Sequence, residues 1–523
     1  MNRTDMIAGM DDPGSLWDVI IIGGGATGLG AAVESASRGH RTVLVEAADF
    51  AKGTSSRSTK LIHGGVRYLR QGRVGMVRQS LRERGLLFRN APHVVHPLNF
   101  VLPTYRFGSR LFYYTGLRVY DLLAGKLRCG RTRQLSHEET CRELPTLRED
   151  NLRGGVMYSD GQFDDARLAI TLARTAVDLG AIVANYTPVT RLLNEGGRVR
   201  GVVIRDLESN REIPLRGKVV INATGVFAET ILRMDGDRDH QPIIAPSQGS
   251  HLVLDASFLP GSSALMIPQT DDGRVLFAIP WHGKVLLGTT DLAVREVCSE
   301  PRPMQSEVSY LLEHAGRYLK HQPTEADIRS RFAGLRPLVG PRSGQRSTST
   351  LSREHEIHTS STGLLSVIGG KWTTYRQMGE DLINQAESAT DLRRVPSRTA
   401  TLPLHGCPEP GSFAASGDPD FAIYGSDAQS LRDLILESPD LSHRLHPSLP
   451  CIAAEIIWAA RNEMARSLED IFARRTRALF LDARAAIESA PQAAELLQRE
   501  LQKSESWKYE QIRQFSLLAD HYC

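Results

Sequence analysis

The chain has 523 residues, too many for one ordinary hydrophobic core, so we expect two or more domains with a cleft between them. A formal net charge of +3, from 63 basic and 60 acidic residues, is too small for a protein that binds nucleic acid over its whole surface, and no nucleic-acid partner is expected. The hydrophobic content of 41% excludes an intrinsically disordered chain.

Cysteine spacing and the N-terminal residues bear on the compartment. The six cysteines lie far apart without a C-x-x-C pair, which indicates neither a zinc ribbon nor a disulfide framework and fits a reducing environment. The opening stretch MNRTDMIAGMDDPGSLWD carries acids and lacks an apolar core, so we expect a flexible tail over residues 1–16 rather than a secretory signal or a transit peptide. No uncharged apolar run approaches the roughly 18 residues that span a bilayer, so membrane contact is expected to be peripheral.

The first strong motif is WDVIIIGGGATGLGAAVESASRGHRTVLVEA, which starts at residue 17. Its apolar residues 19–22 form a buried-strand pattern that ends in G-x-G-x-x-G, formed by Gly23, Gly25 and Gly28, before an alanine-rich helix. Glu46 ends the next apolar strand, 18 residues after the last glycine, near the spacing of a carboxylate that accepts from a ribose 2′-hydroxyl. The motif predicts a dinucleotide site; the alternative is a tight turn in any α/β protein.

The next stretch, STKLIHGGVRYL, places polar side chains beside two glycines, where the backbone carries no side chain. His63, Arg67 and Tyr68 share a short apolar segment with Gly64 and Gly65, a glycine pair that suits neither a helix interior nor a strand. Glycines permit close approach of the backbone to another group. Taken alone, such a histidine is more often a hydrogen-bonded core residue than a catalytic base.

The segment Tyr105–Gln134 is strongly cationic, with seven basic residues against one acid. Phe112, Val119, Leu122 and Leu123 fall near one helical face, with further aromatic residues nearby. From the pattern alone, an interfacial helix attracted to anionic lipid and an amphipathic helix packed on the protein are equally good interpretations.

Later segments complete the chain. The strand pattern KVVINATG begins at Lys218, and the stretch VIGGKWTTYRQMGED places Gly369 and Gly370 before a predicted helix. After residue 400 the pattern becomes helical, and the charged stretch 461–477 is interpreted as a solvated helix face. A single apolar stripe at helical spacing is predicted to form a packing face, made by Ile452, Ile456, Ile457, Ala460, Met464, Leu468 and Ile471.

Several motifs together resemble one family. In chain order, these motifs are TSSRSTKLIHGGVRYL, FDDARL, NATG, GSHLVL, FAIPWHGKVLLGTTD, AGLRPLV and GGKWTTYR. They occur in the order found in FAD-dependent glycerol-3-phosphate dehydrogenases, and the resemblance covers about residues 17–380. Weaker similarity continues in RNEMARSLEDIFARRTRALFLDAR. The resemblance implies an α/β fold in which a Rossmann-like FAD-binding domain is interleaved with a β-rich substrate domain and followed by a C-terminal helical domain. The implied bounds are 17–395 for the oxidoreductase domain, with FAD-binding segments at about 17–103, 156–250 and 350–395, substrate-side segments at about 104–155 and 251–349, and helices over 400–523.

The same resemblance assigns roles to side chains. It implies that His63 is the base and Arg336 the cation that orients the substrate hydroxyl, which in this motif context favours the catalytic interpretation of the histidine. Arg67, Tyr68 and Lys371 match the phosphate side, with His251 and Arg353 as further members of that pocket. The helix after Gly370 would direct its positive end at the pyrimidine edge of the flavin. With the residues of the dinucleotide motif, the implied cofactor contacts are Gly23, Gly25, Gly28, Glu46, Thr54, Ser55, Ala223, Gly225 and Gly370.

The implied activity is oxidation of sn-glycerol 3-phosphate to dihydroxyacetone phosphate, with hydride transfer to FAD and electrons passed to a quinone. Two alternatives stay open. One is an oxygen-dependent glycerophosphate oxidase; oxidases that resemble this family usually carry an additional insertion, and the short stretch 340–351 leaves no obvious room for it. The other is a flavin-binding protein without turnover. Delivery of electrons to a quinone favours peripheral contact with the inner face of the cell membrane by a cytoplasmic protein. The oligomeric state is left open, with a homodimer as one alternative.

Overall fold

The computed structural model describes residues 1–11, 14–236, 243–268, 270–340, 354–409 and 419–523. Its strands, in chain order, are β1 Leu16–Ile22, β2 Thr42–Val45, β3 Leu61–Ile62, β4 Val95–Pro103, β5 Arg133–Leu135, β6 Gly155–Phe163, β7 Ile182–Ala184, β8 Val189–Glu195, β9 Arg198–Arg205, β10 Glu212–Asn222, β11 Ile244–Asp255, β12 Ala264–Ile267, β13 Leu276–Trp281, β14 Lys284–Gly288, β15 Leu292–Ala293, β16 Ile328–Val339, β17 His355–Thr359 and β18 Leu365–Gly369.

The α-helices of the same residues are α1 Arg3–Met10, α2 Ala26–Ser37, α3 Val66–Arg70, α4 Val74–Asn90, α5 Ser109–Ala124, α6 His137–Glu143, α7 Asp165–Asp178, α8 Ala228–Met234, α9 Gln305–Gly316, α10 Tyr375–Ala389, α11 Ala428–Glu437, α12 Ala453–Asn462, α13 Ala478–Leu481, α14 Ala483–Glu500 and α15 Glu505–Ala519. A π-helical turn spans Asp470–Arg475. Within the described ranges, no helix has both the length and the apolar character needed to cross a bilayer.

The first sheet carries the nucleotide-binding topology. Its main path runs β17-β18-β10-β1-β2-β7, in which β18, β10, β1, β2 and β7 are parallel and β17 is antiparallel at the edge. The four residues Val19–Ile22 have 0 to 5% of their surface exposed, as expected for a central parallel strand. Helix α2 packs on this sheet and against α10, where a Cβ on Gly30 would lie 2.9 Å from the carbonyl oxygen of Tyr375.

The second sheet is mostly antiparallel and runs β15-β11-β14-β13-β12-β4-β6-β3, with β16 paired to β11 and β5 to β6. Together with the helices of the C-terminal region, it confirms the predicted α/β fold class. The interleaving differs from the predicted bounds, because β3, β4 and β6 lie in the second sheet although the segments 17–103 and 156–250 were assigned to the FAD side. Residues 46–60, which join β2 of the first sheet to β3 of the second, contain one glycine and no proline, so composition marks no boundary there.

The N-terminal residues, predicted to be a flexible tail, form helix α1 instead. Arg3 is 8% exposed and its guanidinium lies 2.6 Å from the carboxylate of Asp206, while Met10 is 1% exposed in the core beside the first sheet. Asp206 lies 203 residues from Arg3 along the chain, which is why a local pattern did not reveal this contact.

Two predictions for the C-terminal region need correction. The apolar stripe is buried as a packing face at most of its positions, but it does not lie on one helix: α12 ends at Asn462 and Met464 has a φ of +54°. The charged stretch 461–477 is not simply a solvated face, because Arg474, Arg475 and Arg477 are 1 to 4% exposed. Each of these arginines pairs with an aspartate from the sheet-containing part of the molecule, and the pairs replace the water that the pattern assumed.

Candidate active site

The glycine turn after β1 is packed so closely that no side chain fits. Gly23 has a φ of +111°, and a Cβ there would lie 2.7 Å from the carbonyl oxygen of Ala223. A Cβ on Gly28 would lie 1.9 Å from the carbonyl oxygen of Gly23. The ends of β1 and β10 therefore meet the first turn of α2 with only backbone between them, which is the close approach that a pyrophosphate at a helix N-terminus requires.

The N-terminus of α2 is bordered by polar groups. The N–H of Ala26 donates to Oγ of Ser55 over 2.9 Å, and a Cβ on Gly25 would lie 3.1 Å from that oxygen. The carboxylate of Glu46 accepts from the N–H groups of Gly24, at 2.6 Å, and Ala48, at 2.9 Å. Burial raises the pKa of this carboxyl, and the two N–H donors oppose the rise. A helix N-terminus beside a carboxylate fits the pyrophosphate and ribose of a dinucleotide.

The remaining predicted cofactor residues lie at the ends of two neighbouring parallel strands. Gly225 follows β10 and has a φ of +60°. Gly370 follows β18 with a φ of +85°, and a Cβ there would lie 2.3 Å from the terminal carbon of Met378. A short 3₁₀ turn over Trp372–Thr374 then leads into α10. The predicted helix thus begins beside the same edge of the sheet that carries the glycine turn.

Residues 54–63 form a spine between the two sheets. At its start, the hydroxyl of Thr54 donates to the carbonyl oxygen of Leu335 in β16. Its second and last residues contact the loop after β18: the indole N–H of Trp372 donates to the carbonyl oxygen of Ser55 over 2.9 Å, and the backbone N–H of His63 donates to Oγ1 of Thr373 over 3.2 Å. The spine therefore connects the cofactor turn to the residues proposed for catalysis.

The glycine pair after His63 has two separate physical causes. The N–H of Gly64 donates to the hydroxyl of Tyr120 over 2.7 Å, and a Cβ at that position would lie 2.7 Å from both this hydroxyl and the side chain of Leu81. Gly65 has a φ of +77° and precedes α3, where an L side chain would be strained. The two glycines are thus required for close packing next to His63 and for the turn into α3.

Lys371 and Tyr68 come together on one side of this turn. The ammonium of Lys371 lies 5.7 Å from the centre of the Tyr68 ring and donates to Oγ of Ser80 over 2.6 Å. Arg67 precedes Tyr68 in α3, but its side chain is outside the described residues, as is the whole of Arg353. The stretch 340–351, considered for an oxidase insertion, also lies outside them from residue 341 onward.

Arg336 lies near the end of β16 and directly follows Leu335, whose carbonyl oxygen accepts from Thr54 of the spine. Its guanidinium donates to the carbonyl oxygen of Thr290 over 3.0 Å and to Oγ1 of Thr289 over 3.1 Å, and it lies 3.7 Å from the carboxylate of Asp291. A Cβ on Gly249 would lie 2.3 Å from the guanidinium, so the glycine of the GSH motif makes room for it. The cation is held in one place while about a fifth of its side chain stays exposed.

His251 occupies the interior behind Arg336. It is 2% exposed, it stacks on Phe332 with 4.9 Å between ring centres, and its Nε2 lies 2.9 Å from Oγ1 of Thr59. Burial, with added repulsion from Lys60 and Arg336, holds the pKa of His251 well below its usual range. This histidine is therefore neutral and its Nε2 contacts Thr59 of the spine, while its role in the phosphate pocket stays a prediction.

Sequence reasoning missed a group of buried charges below the spine. The ammonium of Lys60 is fully buried 2.7 Å from the carboxylate of Asp165, and burial lowers the pKa of this lysine to about 8. The guanidinium of Arg477 lies 3.2 Å from the same aspartate. The charged residues themselves are visible in the sequence as the acids of FDDARL and the basic residues of ARRTR. No local pattern indicates that these two segments form ion pairs with each other.

The fold and this cofactor turn define an FAD-dependent oxidoreductase. Residues 18–376 match the family described as FAD dependent oxidoreductase, and residues 421–508 match the C-terminal domain of alpha-glycerophosphate oxidase. The mitochondrial glycerol-3-phosphate dehydrogenase of Bos taurus is 38% identical over 530 residues, which cover 95% of this chain and 72% of that protein. The mitochondrial glycerol-3-phosphate dehydrogenase SDP6 of Arabidopsis thaliana is 37% identical over 524 residues, which cover 92% and 82%.

Solved structures agree. The crystal structure of glycerol-3-phosphate dehydrogenase from Bacillus halodurans, complexed with FAD, superposes with a TM-score of 0.81 at 28% identity and covers 99% of this chain and 97% of that one. The L-alpha-glycerophosphate oxidase of Mycoplasma pneumoniae, at 18% identity and a TM-score of 0.56 over 74% of this chain and 98% of that one, shares the fold. The chain belongs to the family of FAD-dependent glycerol-3-phosphate dehydrogenases. The predicted family, enzyme class and FAD cofactor are confirmed.

Proposed function

We propose that the protein oxidises sn-glycerol 3-phosphate to dihydroxyacetone phosphate and passes the electrons to a quinone. The observation that carries the proposal is the spine of residues 54–63: its Ser55 receives the N–H of Ala26 in the cofactor turn, and the spine ends at His63. Its hydrogen-bond partners Leu335 and Trp372 are the chain neighbours of Arg336 and Lys371. The cofactor turn, the base candidate and the two cations are thus linked through one segment of ten residues. A flavin-binding protein without turnover would not require this combination.

The oxidation removes a proton from the substrate hydroxyl and a hydride from its carbon. FAD supplies the hydride acceptor when bound. In our assignment an imidazole nitrogen of His63 accepts the hydroxyl proton, and Arg336 donates hydrogen bonds to the oxygen as negative charge develops on it. An arginine suits this role because it stays protonated and its donors lie in a fixed plane. Its contacts with Thr289 and Thr290 hold that plane in place before substrate binds.

The substrate phosphate requires cations of its own, because a dianion removed from water without partners costs several kcal/mol. Lys371 and Tyr68 lie together beside the glycine pair, and we assign them to the phosphate. The role of Arg67 rests on the family resemblance and on its position in α3 next to Tyr68. Lys371 also precedes the turn into α10, whose positive end would stabilise a negatively charged flavin ring.

The reaction is tested by an optical experiment. The purified protein should be yellow, and its flavin absorbance should bleach on anaerobic addition of glycerol 3-phosphate. Glycerol should bleach it poorly, because it lacks the phosphate that Lys371 binds. Unchanged absorbance with glycerol 3-phosphate would contradict the proposal and favour a binding protein.

The electron acceptor is tested by stopped-flow reoxidation of the substrate-reduced enzyme. We expect rapid reoxidation by a soluble quinone analogue and slow reoxidation by dissolved oxygen. Fast reaction with oxygen and none with quinone would identify an oxidase instead.

Helix α5 is the surface that we propose for contact with the membrane. In this helix, Leu111 and Phe112 each have 64% of their surface exposed and Leu122 has 74% exposed. Phe107, just before the helix, has 91% of its surface exposed. Leu117, Tyr120 and Ala124 on the opposite face are buried against the protein. The exposed face lies within the cationic segment 105–134, a combination suited to anionic lipid at the inner face of the cell membrane.

Liposome binding tests this surface. Charge reversal at Arg118 and Lys126, which are exposed, should weaken binding to anionic vesicles, and added salt should weaken binding of the parent. Arg110 is a poorer choice, because it donates to the carbonyl oxygens of Leu135 and Arg153 and so holds the neighbouring loops. Equal binding of the reversed variant and the parent would rule out the patch. Sedimentation of the same samples without lipid distinguishes a monomer from a homodimer.

A further inference from the structure

A buried charge cluster joins the C-terminal helical region to the cofactor segment. Asp49 lies three residues after Glu46 and is fully buried. Its carboxylate is 2.5 Å from the guanidinium of Arg474 and receives two hydrogen bonds from Arg475, at 2.6 and 2.9 Å. Burial would raise the pKa of Asp49, but Arg475 and Arg474 outweigh it and hold the pKa well below its usual range. The aspartate is therefore charged and fixed from two directions.

A second contact from the same stretch of chain holds the far end of the segment. The guanidinium of Arg477 donates to the carbonyl oxygen of Ser56 over 2.8 Å, and the ammonium of Lys60 donates to the same oxygen over 2.9 Å. The carboxylate of Asp165 pairs with both cations and also accepts from the N–H of Ser58 over 2.9 Å. The main chain near residue 56 is thus as constrained as that near residue 49.

Between these two anchors lie residues assigned to the cofactor. Thr54 and Ser55 are held at one end through Asp49 and at the other through Ser56, and the hydroxyl of Ser55 receives the first N–H of α2. Burying charged groups is costly, and a buried ion pair often adds little net stability, so several such pairs beside one loop indicate control of geometry.

We propose that Arg474, Arg475 and Arg477 are positioning residues for FAD. Through Asp49 and Ser56 they fix the loop that presents Glu46, Thr54 and Ser55 to the N-terminus of α2, so FAD affinity depends on side chains of the C-terminal helical region. The proposal rests on the assignment of these loop residues to the cofactor. It makes the C-terminal region part of the cofactor site in energetic terms, without contact between its arginines and FAD.

The test compares matched variants of the full-length holoenzyme. Arg475→Gln removes one charge from the pair on Asp49, and Arg475→Lys restores the charge without the two-pronged geometry. The control is Arg174→Gln, because Arg174 of α7 pairs with Asp427 and so joins the same two parts of the molecule away from the cofactor loop. For each variant, the FAD dissociation constant is measured by the fluorescence of released flavin, well below its own unfolding temperature, and the thermal midpoint is recorded with and without excess FAD.

We expect Arg475→Gln to weaken FAD binding at least tenfold, Arg475→Lys to recover part of the affinity, and Arg174→Gln to retain parental affinity even if its thermal midpoint falls equally. Excess FAD should raise the midpoint of Arg475→Gln towards that of the parent. Parental FAD affinity in Arg475→Gln, or equal loss in Arg174→Gln, would show an ordinary domain contact and overturn the proposal. Should Arg475→Gln fail to fold, Arg477→Gln, measured in the same way against the same control, decides the question. Bleaching of the parent by glycerol 3-phosphate is scored separately, so failure of the reaction and failure of the positioning role are distinguishable.

Discussion

The segment that runs from Asp49 through the spine to Gly64 is held at its two ends by different chemistry. At the cofactor end, Asp49 and Ser56 are held by buried guanidinium groups from more than 400 residues along the chain. At the substrate end, His63 and Gly64 are held by neutral hydroxyls, those of Thr373 and Tyr120. One end is neutralised internally, while the other keeps Lys371 close to the place where an anion is expected to bind.

The difference follows from what each end binds. A cofactor that stays bound through many turnovers is served by a rigid cradle whose charges are already paired. A phosphate that exchanges in every turnover requires a positive charge that pairs with it each time, and fixed acids beside that charge would compete. Hydroxyl anchors hold the backbone at the substrate end, and the carboxylate behind Tyr120, that of Asp160, is already paired with Arg84 over 2.7 Å.

The largest expected effect separates the base from the rest of the spine. His63→Ala should slow flavin reduction at saturating substrate by about 10²- to 10⁴-fold with FAD still bound, because the proton acceptor is lost. In the parent this rate should rise with pH through one ionisation, since a neutral imidazole is needed, and that ionisation should vanish in the variant. Anaerobic stopped-flow bleaching measures both. A near-parental rate in His63→Ala would show that the base is elsewhere.

The cofactor end is tested next. Glu46→Ala should weaken FAD binding by about 1.5 to 3 kcal/mol, or roughly 10- to 150-fold, the worth of a charge-assisted hydrogen bond to the adenosine ribose. The affinity for FMN should change much less, because FMN lacks this ribose. Fluorescence of flavin released at equilibrium gives both affinities. Equal loss for FAD and FMN would indicate general damage to the loop rather than a ribose contact.

A smaller effect is expected from the phosphate side. Lys371→Met should raise KM for glycerol 3-phosphate by about tenfold with a lesser change in the saturated rate, because the interaction is present in the ground state and the transition state alike. FAD affinity should be unchanged. The comparison of the two ends would fail if this variant lost FAD as readily as Glu46→Ala.

The smallest effect concerns acid stability. The pKa of His251 is lowered in the folded protein. Below about pH 6.5 this histidine is therefore protonated in the unfolded chain but not in the folded chain. The free energy of unfolding consequently decreases as the pH falls. His93 acts with the same sign, because burial lowers its pKa to about 4. Asp49, whose folded pKa is also lowered, loses its contribution only below about pH 3.8.

Between pH 7 and 5 the thermal midpoint of the parent should therefore fall more than that of His251→Gln, while FAD affinity stays constant. Differential scanning fluorimetry across this range measures the first quantity, and released-flavin fluorescence the second. Parallel midpoints in the two proteins would remove His251 as a source of acid sensitivity.

The sequence predicted those features whose cause is local. The glycine turn, the strand before it and Glu46 after it follow from periodicity and spacing within one short stretch, and the structure has them in place. Burial of Arg474 and Arg475 was not predictable in this way, because a charged side chain is expected in water until its partner is known, and the partner Asp49 lies 425 and 426 residues away. The same holds for α1, which is fixed by Asp206.

The distance between Asp49 and Arg475 along the chain has a consequence for biosynthesis. At a translation rate of about 5 to 20 residues per second, the first strand, the glycine turn and the loop after Glu46 would leave the ribosome roughly 20 to 80 seconds before the arginines that complete their surroundings. During that interval Asp49 lacks both of its guanidinium partners, although the side-chain amide of Asn185 is already available to donate to it. The holoenzyme is therefore expected to acquire FAD late, after the helical region has been made and docked.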